Sequence, residues 1–78
     1  MNLVSACVLI RTERGRFEDV VKEVSQLKGV KNIFPVLGRY DVVVDVEAKD
    51  MKELGSIILR MGRFSGVVFT ETLIEIEQ

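Results

Sequence analysis

Apolar residues recur with two different periods along this chain, and the switches between them mark its elements. Leu3 to Ile10 (LVSACVLI) is apolar at nearly every position and rich in branched side chains. Unbroken rather than alternating hydrophobicity predicts a strand covered on both faces. The period then lengthens. Phe17, Val20, Val21, Val24 and Leu27 form one stripe at helical spacing, with Glu18, Asp19, Lys22, Glu23 and Gln26 on the wet side. Acidic residues gather in the first turn and Lys28-Gly29 closes the last, as the helix dipole and a left-handed cap prefer. Val30 to Leu37 reads as a second strand. Pro35 within it cannot donate a ladder hydrogen bond, which predicts an edge position.

A polar turn, Gly38 to Asp41, separates this strand from a third over Tyr40 to Glu47. There Val42, Val44 and Val46 share one face, and Asp41, Val43, Asp45 and Glu47 the other, a half-wet strand with a clear inside. Asp50 caps a second helix with Glu53 three residues on, a capping box. Its expected buried stripe is Met51, Leu54, Ile58 and Met61, with Ile57 on the flank; Cys7, Met51 and Met61 are all expected in the core. Gly55 weakens this helix by roughly 1 kcal/mol relative to Ala. Gly62 to Gly66 ends it. Val67 to Glu77 is the last strand, with Thr70, Thr72, Ile74 and Ile76 on one face and Phe69, Glu71, Leu73 and Glu75 on the other.

The order is βαββαβ. Right-handed crossovers then give the α+β, ferredoxin-like arrangement: a four-stranded antiparallel sheet of order 4-1-3-2 with two helices on one face. The all-apolar first strand becomes central and the proline-bearing second strand an edge. Helices cover only one side, so the other must carry part of Leu3 to Ile10, Val43 and one face of the last strand. Monomers rarely expose a contiguous apolar patch beyond a few hundred Å². Sheet-against-sheet dimerisation about a two-fold axis is therefore expected.

Length and composition sharpen that expectation. A single domain of 78 residues hides only about 60–65% of its unfolded surface, so small domains lean on staples, metals or partner chains. One cysteine, Cys7, and no histidine exclude disulfides within the chain and a structural zinc. Apolar residues make up 47%, which supports association. Eleven basic against 12 acidic residues, with a pI near 5.4, give no electrostatic footprint for nucleic acid or an anionic membrane. No basic segment precedes the first apolar run, and no run approaches the ~20 residues that span a bilayer. A soluble, cytoplasmic protein is expected.

Catalytic signatures are missing. Without histidine there is no Ser-His or Cys-His pair and no imidazole base. Thr12-Glu13-Arg14-Gly15 stands where a metal carrier of this topology would place Cys-x-x-Cys, and no glycine-rich phosphate loop occurs. The central strands offer Val, Ala, Cys and Tyr40 rather than the exposed aromatics that read RNA. The chain reads as a non-enzyme with no cofactor and no metal.

Gly38-Arg39-Tyr40-Asp41 followed by an apolar strand, then Asp50 opening a helix, resembles the effector domain of the Lrp/AsnC family of regulators. Gly66-Val67 leading into Thr70-Glu71-Thr72-Leu73 does so too. The resemblance runs from the first strand to Ile76. It implies a domain for transcriptional regulation of amino acid metabolism that pairs into dimers and assembles into rings, often octamers, with small effectors such as amino acids bound between neighbouring dimers. It implies Gly38, Arg39, Tyr40, Asp41, Thr70 and Thr72 as ligand-binding positions. Full regulators carry an N-terminal helix-turn-helix domain, whereas residues 1–78 start at the first strand. The expectation is thus a stand-alone effector domain without direct DNA binding, able to co-assemble with full-length relatives.

Each of these residues also has a local reason to be where it is. Gly38 supplies a positive φ in a tight turn. Asp41 can bond its own turn as readily as a ligand ammonium. Tyr40 can pack its ring at an interface. Thr70 and Thr72 suit a strand by propensity alone, although their spacing points both hydroxyls the same way. Two other readings share the topology: an ACT-like regulatory domain, pairing edge to edge or helix to helix, and a small enzyme of the dimeric α/β-barrel type.

Overall fold

The computed structural model describes residues 3–76. In chain order it comprises β1 (Val4–Thr12), α1 (Phe17–Val24), β2 (Val30–Pro35), β3 (Val42–Ala48), α2 (Met51–Met61) and β4 (Val67–Ile74). All strand pairs are antiparallel and the sheet order is β2-β3-β1-β4, the expected 4-1-3-2 read from the other edge. The chain adopts the ferredoxin-like α+β fold.

Strand alternation sorts the sheet into two unlike faces. Ala6, Val8 and Ile10 of β1 pair with Val46, Val44 and Val42 of β3. All six lie under the helices and are at most 7% exposed. From above, Val20 and Val24 of α1 and Leu54, Ile57 and Met61 of α2 complete the core. With Ala48 at the end of β3, valine makes up half of this core. β-branched side chains stiff at χ1 suit a pleated surface, so little rotamer freedom is lost on burial.

Several local expectations are corrected. β2 ends at Pro35 rather than Leu37, and β3 begins at Val42 rather than Tyr40, which leaves a longer connection between them. α1 stops at Val24; Leu27 packs against the core from the turn beyond it. Gly29 is therefore no cap of α1. Its φ is +95°, and a Cβ there would lie 2.8 Å from the Glu47 carbonyl oxygen and 2.9 Å from Ile57 Cδ1. Glycine lets the backbone close onto β3, where Glu47 N–H donates to Gly29 O at 2.8 Å. On α2, Ile57 is the core residue and Met51, at 54% exposed, lies outside. Met51 occupies the first helical position, too early in the helix to reach the sheet. Cys7 is only half-buried, because it faces away from the helices. β4 ends at Ile74, short of the expected end at Glu77, which lies outside the described residues.

Asp50 caps α2 as expected, its carboxylate accepting from Glu53 N–H at 2.8 Å. The Glu53 carboxylate reaches back to Lys49 N–H at 2.7 Å, one residue earlier than the usual reciprocal bond. Among the described residues no helix is long and apolar enough to cross a membrane.

Candidate functional site

The β2–β3 connection is drawn down onto one end of the sheet by its own backbone. Val36 N–H donates to Asp41 O at 2.8 Å, and Asp41 N–H donates to Ile10 O at 2.8 Å. Gly38, at φ +136°, takes the chain through a backbone region that side chains rarely adopt. The Asp41 carboxylate does not point free into solvent. Its Oδ2 accepts from Thr12 N–H at 2.7 Å and from Thr12 Oγ1 at 3.3 Å, tying the loop to the end of β1.

Tyr40 lies over the uncovered face. Its ring stacks on Phe69 with centroids 6.5 Å apart and an 18° interplanar angle, and its hydroxyl donates to the Glu71 carboxylate. The Arg11 guanidinium sits 6.0 Å from the ring centroid and donates through Nε and Nη2 to the Arg39 carbonyl, at 3.3 and 3.2 Å. The hydrogen bond to Glu71 is the main reason the Tyr40 hydroxyl titrates above the usual tyrosine range; burial and the Glu71 charge add to it, and Arg39 and Arg11 oppose it.

The six predicted positions thus separate into two groups. Gly38, Arg39, Tyr40 and Asp41 form one loop above the open face. Thr70 and Thr72 pair with Ile10 and Val8, and so lie on the helix side of β4. The residues that meet Tyr40 are instead Arg11, Phe69 and Glu71, from the opposite face. Sequence reasoning passed over these three. The alternation of β4 set Phe69 and Glu71 on the face opposite the threonines, but nothing in it tied them or Arg11 of β1 to Tyr40.

Two hollows flank this loop system. Phe17, Pro35, Val36, Leu37 and Asp41 line an apolar recess of about 350 Å³ beside the loop. Further along the open face, the small side chains Ser5 and Cys7 leave a shallow depression of about 550 Å³, bordered by Asp45, Lys31 and Leu73. The Cys7 thiol is pushed up in pKa, mainly by burial and further by the neighbouring Asp45 carboxylate, and so stays protonated and poorly nucleophilic. Lys31 pairs with Glu47 at 3.6 Å on the surface, a contact worth little in itself. Among the described residues no three potential metal ligands cluster.

Comparison with known proteins places this arrangement. The sequence model of the Lrp/AsnC ligand binding domain matches residues 5–78. The chain belongs to the Lrp/AsnC ligand-binding domain family. The HTH-type transcriptional regulator FL11 of Pyrococcus furiosus is 27% identical over 71 residues, which cover 91% of this chain and 47% of the regulator. The chain spans about half the length of the curated regulators it matches. Homocitrate synthase of Sulfurisphaera tokodaii is 34% identical over 70 residues, 88% of this chain but 15% of the enzyme. Among solved structures, TTHA0845 from Thermus thermophilus superposes with a TM-score of 0.91 at 32% identity, covering 96% of this chain and 95% of that one. The family is one of transcriptional regulators, and the similarity to the synthase is confined to a small part of that enzyme.

Proposed function

We propose that this domain is a small-molecule-responsive assembly module in transcriptional regulation, taking an amino acid effector at the 38–41 loop and self-associating through its open sheet face. The observation that carries this reading is the loop itself. Gly38 to Asp41 is held by backbone bonds to β1 and by Tyr40 contacts to β4, directly at the rim of the uncovered face. A ligand that displaces or reinforces Tyr40 alters the surface on which a second copy would sit.

Leu9, Cys7, Val43, Phe69 and Leu73 share that surface, as their register in the sheet requires. Their apolar character favours a face-to-face dimer, with rings such as octamers built from dimers. Gly38, Arg39, Tyr40 and Asp41 are the proposed ligand contacts on one copy. Thr70 and Thr72, on the other side of β4, reach a ligand only if it is held between copies. Co-assembly with helix-turn-helix regulators follows from the shared effector domain, and direct DNA contact forms no part of the proposal. An effector shifts such an assembly only through its differential affinity for the states involved.

Native mass spectrometry across a panel of amino acids tests the reading. One amino acid is expected to bind with defined stoichiometry and change the size or persistence of the assembly. Indifference of every species to every amino acid would remove the sensor from the proposal.

A further inference from the structure

We propose that the free β4 edge is a second self-association surface, at which two copies pair their β4 strands antiparallel about a two-fold axis at Thr72 and continue one sheet across both chains. This goes beyond the open-face reading and depends neither on it nor on ligand binding.

The two edges of the sheet are protected very differently. β2 carries Pro35, a register shift between Val30 and Asn32, and Lys31 paired with Glu47. These are the devices by which proteins keep an edge strand from recruiting another chain. β4 is less protected: VVFTETLI contains no proline and no basic residue, and its one register shift, opposite Arg11 and Thr12, lies at its first residues and leaves Thr70 to Ile74 regular. It is also apolar on both sides, with Val68 60% and Ile74 43% exposed toward the helix side, and Phe69 and Leu73 each 51% exposed toward the open side.

Backbone register identifies the occupant. Glu75 N–H donates to Ser5 O at 2.9 Å. By the alternation of an antiparallel ladder, Leu73 and Glu71 also turn their backbone groups toward β1, while Thr70, Thr72 and Ile74 turn theirs outward. A second β4 with Thr72 opposite Thr72 sets Thr70 opposite Ile74, outward groups against outward groups, for about six new backbone hydrogen bonds. The same register puts Glu71 opposite Leu73 and Phe69 opposite Glu75. No carboxylates then face each other, whereas centring the pair on Glu71 would set like charges together. The strand is complementary to itself, so the partner is a second copy of this chain.

Amide hydrogen exchange on the intact protein tests this, with sedimentation of edge variants beside it. The Thr70, Thr72 and Ile74 amides, free in a lone copy, should exchange at least about 100-fold more slowly in the assembled protein, with protection lost on dilution. Ile74→Pro removes one outward N–H without touching the β1 ladder, and Ile74→Lys adds an edge charge. Both should fold by circular dichroism and lose the largest species. Unprotected Thr70, Thr72 and Ile74 amides in the assembled protein, or survival of that species in both variants, would overturn the proposal. Leu9→Asp separates the two surfaces, because it addresses the open face alone: β4 protection should persist in it, and amino acid binding at the 38–41 loop is read separately.

Discussion

The two faces of the sheet are built from the same strands and end in opposite states. On β1, Ala6, Val8 and Ile10 are buried while Ser5, Cys7 and Leu9 between them are half-exposed; on β3, the valines at 42, 44 and 46 are buried and Val43, Asp45 and Glu47 are not. A single-residue alternation decides which side chains find a partner within the chain. The closed face shows what this small fold achieves alone. The open face shows what it leaves for something else to cover, and the 38–41 loop sits at its rim.

The strongest way to break the comparison is to damage the closed side. Leu54 is 1% exposed and wedged between α2 and the sheet. Leu54→Ala should cost roughly 2–5 kcal/mol in urea unfolding, a large share of the stability of so small a domain. Leu9→Asp on the open side should do the reverse. It should change the stability of the lone domain by only about 1 kcal/mol or less and weaken association through the open face at least about 100-fold by analytical ultracentrifugation, leaving only the species held by the β4 edge. Equal damage to both properties would mean that the faces are not independent.

A smaller effect is expected at the loop. Asp41→Ala leaves the Thr12 N–H without its carboxylate partner and should cost about 1–2 kcal/mol in the same unfolding assay. The smallest effect is spectroscopic. With one tyrosine and no tryptophan in the chain, tyrosinate absorbance reports Tyr40 alone. Glu71→Ala should lower its midpoint toward the ordinary value of about 10. The sign follows from linkage. A hydroxyl whose folded pKa lies above its unfolded one contributes stability that is full below the unfolded pKa and lost as pH rises through the folded one. The contact to Glu71 is therefore an alkaline-sensitive tie, intact at neutral pH.

Topology was legible in the sequence because each element carried redundant signals. The unbroken run Leu3 to Ile10 marked a central strand, Pro35 an edge, and Asp50 with Glu53 a helix start. Boundaries were less legible. The helical stripe continues through Leu27 although α1 stops at Val24, because a residue in the following turn can reach the same core. Met51 satisfies the period of α2 yet is exposed, since periodicity gives a direction but not whether the sheet lies within reach. At the loop, the family resemblance led to Gly38 through Asp41 but not to Arg11, Phe69 and Glu71. Their proximity to Tyr40 depends on the register of three strands, which a linear pattern does not contain.

Cys7 offers the most direct test of the central claim that the open face is a contact surface, because it needs no substitution. The thiol is half-buried at the centre of that face and is the only cysteine in the chain. Its alkylation rate should be measured at constant pH across protein concentrations spanning assembly, with the denatured chain as reference. The account predicts that the rate falls at least about tenfold as copies associate, while the denatured reference stays constant. A rate that does not change across the concentrations at which sedimentation shows assembly would mean that the open face stays in water.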